Sequence, residues 1–179
     1  MPPIAMHLRL KLNEYVIRPW SEDDAAAVHR YADNRNIWLN VRDIFPHPYR
    51  LEDAQSFLKW VTQQKPVTTF ALATSQEAIG CIGLRLGEDV HRRTAEVGYW
   101  LAEPFWGRGI MSDAVTTFTD HAFGAFNLVR IYAEPFANNR ASGRVLEKAG
   151  FVLEGRLRAS VEKDGRILDS FLYARVRGV

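Results

Sequence analysis

The segment Pro104-Phe105-Trp106-Gly107-Arg108-Gly109 constrains this chain more than any other. Residues 94–101 before it read as a strand. After it, Met111, Ala114, Val115, Phe118 and Ala122 recur at helical spacing, which predicts a helix to about Phe123 with that inner face. A strand therefore enters a tight Gly-x-Gly turn and a helix starts at once. The first turn of a helix carries backbone N–H groups without internal partners, at the positive end of the helix dipole, and an anion docks there without needing a charged side chain. Gly107 and Gly109 lack a Cβ, so the chain bends sharply and a phosphate can approach the main chain. Arg108 adds a positive charge at the mouth. Taken alone, such a turn is often only a turn. Two nucleotide loops are excluded. A Walker loop ends in Gly-Lys-Ser/Thr, which is missing, and the third glycine of a dinucleotide fingerprint would fall at Ser112.

The flanking pattern sets the fold class. Residues 8–18 read as a first strand. Ser21 followed three places later by Asp24 marks a helix start, running to about Ala32. A looser stretch follows, 34–48. Ala54, Phe57, Leu58 and Val61 then place a second helix at 51–64. Strands are expected at 67–74, 78–86, 94–101 and 128–133. A short helix at 139–149 stops at Gly150, and strands at 151–158 and 167–175 flank the turn Lys163-Asp164-Gly165-Arg166. Most strand neighbours can be hairpins, so the sheet should be mixed and largely antiparallel, and continuous β-α-β alternation is absent.

A length of 179 residues favours a single domain spanning 1–179. With 23 basic and 21 acidic side chains, the net charge of +2 gives no strong field for nucleic acid or an acidic membrane. The one cysteine, Cys81, sits in an apolar run and reads as a buried small hydrophobe. Met1 to Lys11 holds no apolar stretch long enough for a secretory signal, and there is no run of about 18 apolar residues, so a reducing cytoplasm is expected. None of His7, His29, His47, His91 or His121 is paired with a second His or Cys at metal-ligand spacing, so no metal is expected.

A second segment accompanies the turn. In Asn138-Asn139-Arg140-Ala141-Ser142-Gly143, either asparagine can cap a short helix that buries Val145, Leu146 and Ala149 before Gly150-Phe151. Together, Trp106-Gly107-Arg108-Gly109-Ile110-Met111, Gly98-Tyr99-Trp100-Leu101, Asn139-Arg140-Ala141-Ser142 and Gly150-Phe151 resemble the Gcn5-related N-acetyltransferases. Within them, the leading aromatic and the opening Tyr15-Val16-Ile17-Arg18-Pro19-Trp20 look like the ribosomal-protein N-acetyltransferase (RimJ/RimL-like) branch. The resemblance covers nearly the whole chain. It departs from the family signature at Trp106, usually Gln or Arg, and at Met111, usually Gly or Ala. A methionine side chain directed to the core would leave the backbone donor intact.

The resemblance implies an α+β fold in three layers, α/β/α. Its central sheet would be mixed, mostly antiparallel and seven-stranded, splayed between the fourth and fifth strands and flanked by about four helices. It implies acetyl-CoA as co-substrate. Pantetheine would lie along the strand edge at Tyr99, Trp100 and Leu101. The pyrophosphate would sit on N–H groups of Trp106, Gly107, Arg108, Gly109, Ile110, Met111 and Ser112. Asn139 would reach the pantetheine arm or the phosphates, and Ser142 also belongs to the cofactor set.

Acetyl transfer to an amine needs a proton acceptor, a stabilised oxyanion and a proton for the departing thiolate. Glu96 is the favoured base, matching a family position, with Glu103 the alternative and no essential base a third reading. Many relatives use a tyrosine as the acid, four places before the glycine of Gly-Phe; here that position is Leu146. Ser142 is the substitute that the ribosomal branch suggests, and water can also serve. The acceptor side is expected from the first two helices and residues 34–50, with Asn36, Trp38, Arg42 and Phe45 lining it. The acceptor is a protein or peptide N-terminus by analogy with the branch, a small amine (polyamine, amino acid or antibiotic) as the alternative. A non-catalytic acyl-CoA sensor is a third reading, and a homodimer stays open.

Overall fold

The computed structural model describes residues 8–9 and 14–178. The chain divides into two compact units, residues 1–83 with 99–110 and residues 84–98 with 111–179. The strands are β1 (Leu8–Arg9), β2 (Val16–Arg18), β3 (Thr69–Ala73), β4 (Ala78–Leu86), β5 (Thr94–Leu101), β6 (Arg130–Ala133), β7 (Val152–Lys163) and β8 (Arg166–Val176). Their hydrogen-bonded order is β1-β2-β3-β4-β5-β6-β8-β7. The expected first strand, 8–18, is two short strands instead, and residues 10–13 lie outside the described residues.

In the first unit, β1 to β4 pair antiparallel in sequence order. Ser21 and Asp24 form the expected capping box, but it opens a 3-10 turn, Glu22–Asp24, before helix α1 (Ala25–Ala32). Asp24 is buried and accepts from Arg18 Nη1 and Nη2 at 2.8 and 2.7 Å and from Ser21 N at 2.9 Å. These three donors offset the cost of burying its charge. The stretch expected to be looser contains a four-residue helix, α2 (Arg35–Trp38). It starts at Asn34, whose Oδ1 accepts from Asn36 N and Ile37 N. Helix α3 (Leu51–Thr62) buries Ala54, Leu58 and Val61, a face that joins Trp20, Val28, Ala32, Tyr49 and Ala71 in one apolar cluster. Cys81 belongs to that cluster, and burial pushes its thiol up to about 12.

In the second unit, β5 pairs parallel with β6 over Thr94↔Arg130 to Glu96↔Tyr132, whereas β6/β8 and β7/β8 are antiparallel. Helix α4 (Ile110–Ala125) buries Met111, Ala114, Val115, Phe118 and Ala122, the face its spacing predicts. Helix α5 (Arg140–Lys148) is capped by Asn139, which settles the choice between the two asparagines. The β7/β8 hairpin turns at Asp164 and Gly165, both at positive φ, as the turn chemistry predicts. β7 runs five residues past its expected end. It does so through a register shift at which Ala159, at φ 49°, donates its N–H to Asp169 Oδ1 at 2.7 Å. Among the described residues, no helix is long and apolar enough to cross a membrane.

Candidate active site

Strand β4 fixes the course of β5. Gly87 N donates to Thr94 O at 2.9 Å, and Ala102 N donates to Ile79 O at 2.8 Å, so one antiparallel register holds from end to end. Gly80 allows the close approach, since a Cβ there would stand 2.5 Å from Trp100 O. The parallel register with β6 stops at Glu96, yet β5 continues to Leu101. A strand exposes alternate side chains on each face, so Glu96, Gly98 and Trp100 share one face. Gly98 is exposed, and a Cβ added to it would meet nothing within 4 Å.

The turn after β5 has the geometry its sequence suggests. A 3-10 turn, Glu103–Phe105, leads into exposed Trp106-Gly107-Arg108-Gly109. Gly107 and Gly109 stand at φ 74° and 79°, a region that side chains disfavour, and α4 begins at the next residue, Ile110. An added Cβ at either glycine would meet nothing within 4 Å, so the space against the backbone is open for a ligand. Met111 is buried, as its departure from the signature requires. The Trp106 indole has a role that residue type alone does not suggest. It donates to Leu101 O at 2.7 Å and clasps the turn onto the end of β5. The guanidinium of Arg108 lies 5.5 Å over the Phe105 ring.

The two candidate bases differ in surroundings. Glu96 is largely covered and pairs with Arg85 at 2.5 Å, a cross-strand partner that needs the register to find. Glu103 is exposed. Its Oε2 accepts from Asn34 Nδ2 at 2.6 Å, and both its oxygens accept from Asn36 Nδ2 at 3.2 Å. These bonds, Asn34 first and then Asn36, hold its carboxyl below the usual range. The donors favour the ionised form.

Of the residues expected to line the acceptor side, Phe45 lies 4.8 Å from Tyr49 and 5.9 Å from Trp100, centroid to centroid, so Phe45 and β5 do meet. Asn36 is turned to Glu103. Trp38 stacks on His47 at 5.4 Å with Arg35 at 5.5 Å over its ring, and Arg42 is exposed. In the second unit, Asn139 Oδ1 accepts Ser142 N at 3.1 Å. That bond starts α5. Leu146, in the position of the family tyrosine, is fully buried.

Residues 15–152 match the family described as an acetyltransferase (GNAT) domain. The chain belongs to the GNAT acetyltransferases. As a GNAT protein it is an acetyl-CoA-dependent N-acetyltransferase, and its relatives carry such names. It is 33% identical over 165 residues to the uncharacterized N-acetyltransferase p20 of Bacillus licheniformis, covering 90% of this chain and 92% of that one. It is 34% identical over 107 residues to the ribosomal-protein-serine acetyltransferase of Escherichia coli strain K12, covering 60% and 59%. The spermidine N(1)-acetyltransferase of the same strain is 27% identical over 143 residues, covering 79% and 74%. Among solved structures, Mycobacterium smegmatis RimJ in complex with CoA-disulfide superposes with a TM-score of 0.81 at 27% identity, covering 96% and 86%.

Proposed function

We propose that this GNAT enzyme moves an acetyl group directly from acetyl-CoA to a primary amine, and that the amine is a protein or peptide N-terminus. The observation that carries the cofactor half is the turn at Gly107 and Gly109. Both glycines have positive φ, both face open space, and α4 starts directly behind them. In this reading the N–H groups from Trp106 to Ser112 hold the diphosphate. Tyr99, Trp100 and Leu101 hydrogen-bond the pantetheine arm, and Asn139 and Ser142 contribute polar groups.

The chemical steps fall to residues of this chain and to water. Glu96 accepts the proton of the incoming ammonium, directly or through water. The neutral amine adds to the thioester carbonyl, and a backbone N–H of β5 receives the oxyanion. When the carbon–sulfur bond breaks, the nitrogen gives up its second proton, which reaches the departing thiolate through Ser142 or water.

The peptide reading draws on the aromatic wall of Phe45 and Trp100. The two rings lie 5.9 Å apart, centroid to centroid. The ribosomal-protein-serine acetyltransferase among the relatives points the same way. The spermidine enzyme supports a second reading, a small polyamine acceptor. A thiol-release assay with acetyl-CoA decides between them. Short peptides with unblocked N-termini should release CoA, and release with spermidine but no peptide would establish the second reading. Tight CoA binding with no turnover on any amine would overturn both.

A further inference from the structure

The side chain of Glu103 is exposed, where water could solvate its charge. Instead it takes two amide donors from a segment 67 and 69 residues away in sequence, Asn36 and Asn34. Asn34 has two tasks at once. Its Nδ2 donates to Glu103, while its Oδ1 accepts the Asn36 and Ile37 N–H groups that start α2. Asn36 is fixed further, because its carbonyl accepts Asn40 Nδ2 at 2.8 Å. Phe105, at the other end of the same 3-10 turn, meets Tyr31 of α1 edge-on at 6.1 Å and lies under Arg108 of the glycine turn. The short turn 103–105 is thus held at both ends by the 31–36 stretch, and it runs straight into Trp106.

We infer that Glu103 is a positioning residue that couples the cofactor turn to α2, so that binding of CoA orders the acceptor-side segment 34–39. The inference rests on the reading of the turn under Proposed function. A diphosphate that fixes the backbone at 106–112 restricts the 3-10 turn before it, and the Glu103 bonds pass that restriction to Asn34, Asn36 and the helix they start. By reciprocity, an acceptor that orders α2 strengthens CoA binding. An acceptor is needed because both partners present N–H groups. Oε2 alone takes a bond from each, so a glutamine with its carbonyl there keeps much of the tie, whereas alanine removes it.

The test is amide hydrogen exchange on the full chain with and without coenzyme A. In the wild type, CoA should slow exchange at 106–112 and, by about fivefold or more, at Asn36, Ile37, Trp38 and Leu39. In Glu103→Ala, protection at 106–112 should persist with CoA affinity within about threefold, while the added protection at 36–39 disappears. Asn36→Ala removes one of the two ties and leaves the Asn34 bond, so it should reduce the added protection at 37–39, which keeps the test open if Glu103→Ala folds poorly. CoA-dependent protection at 37–39 that survives undiminished in both variants, or its absence in the wild type, overturns the inference. Absence of protection at 106–112 in the wild type overturns the cofactor reading instead.

Discussion

Two glycines on neighbouring strands should respond in opposite ways to the same added methyl group. At Gly80 on β4, a Cβ would stand 2.5 Å from Trp100 O, 3.2 Å from Leu101 Cα and 3.4 Å from Leu101 Cδ1. The two nearest atoms are backbone and cannot rotate away. Ordinary contact begins near 3.4 Å, so from 2.5 Å the strands β4 and β5 must separate by about 0.9 Å, at a cost of about 1–3 kcal/mol. At Gly98 on β5, the new Cβ meets nothing within 4 Å, and the backbone is outside the left-handed region. Alanine there should be neutral or should stabilise by up to about 1 kcal/mol, by narrowing the unfolded ensemble. Urea unfolding followed by tryptophan fluorescence measures both. Turnover adds the functional half. Gly80→Ala displaces the stretch of β5 proposed to carry the thioester, and a shift near 1 Å can cost about a hundredfold. Gly98→Ala should lower turnover without lowering stability, because it crowds the face shared with Glu96 and Trp100. A Gly80→Ala protein within about 0.5 kcal/mol of wild type, or a Gly98→Ala protein equally destabilised, would refute the packing argument.

Gly109→Asp should abolish CoA binding in calorimetry, since it adds bulk and negative charge at a position with φ 79°; unchanged affinity would contradict the assignment of the turn. Glu96→Gln should reduce turnover with CoA affinity nearly unchanged, and a pH–rate profile identical to wild type would remove Glu96 as the base. Asp169 accepts the Ala159 N–H and pairs with Arg156, bonds that hold its carboxyl below the usual aspartate range. Its contribution to stability should therefore be complete above the ordinary aspartate value, about pH 4, and be lost as pH falls through the lower folded value. Acid melts of Asp169→Asn should lack that component, and identical acid limbs would count against it. With its thiol pushed up to about 12, Cys81 should stay unlabelled by thiol reagents at about pH 8 until the protein is unfolded, and rapid native labelling would show that the cluster around it opens.

What could be read from the sequence was what neighbouring residues decide among themselves. The inner face of α4 follows from its own periodicity. The turns at Gly107, Gly109 and Gly165 follow from residues able to adopt positive φ, and the Ser21–Asp24 box spans four positions. The Gly-x-Gly turn and the Asn-x-x-Ser helix cap were legible for the same reason, and they carried the family assignment. Where the structure departs, a distant partner overrides local preference. Helix α2 has too few residues to nucleate alone, and it forms on an Asn34 cap that Glu103 holds from across the chain. Strand β7 passes its expected end because Asp169 satisfies the N–H of an alanine in a conformation that alanine resists.

The candidate site divides along the same line. Its backbone elements, the β5 face and the anion turn, are properties of strand and helix and were visible as residue types at fixed spacing. Its carboxylates were not. Glu96 and Glu103 read alike as charges at the two ends of a strand, and nothing local separates them. The register of β4 gives Glu96 an arginine, and the path of the chain after α1 gives Glu103 two asparagine amides. For Glu103 the amide bonds favour the ionised form although their donors lie far off in sequence. Those bonds make it fit to transmit a change at the turn. A base must let go of its partners to take a proton, whereas a tie works by keeping them. That contrast is why exchange at α2, rather than turnover, is the measurement that separates the two roles.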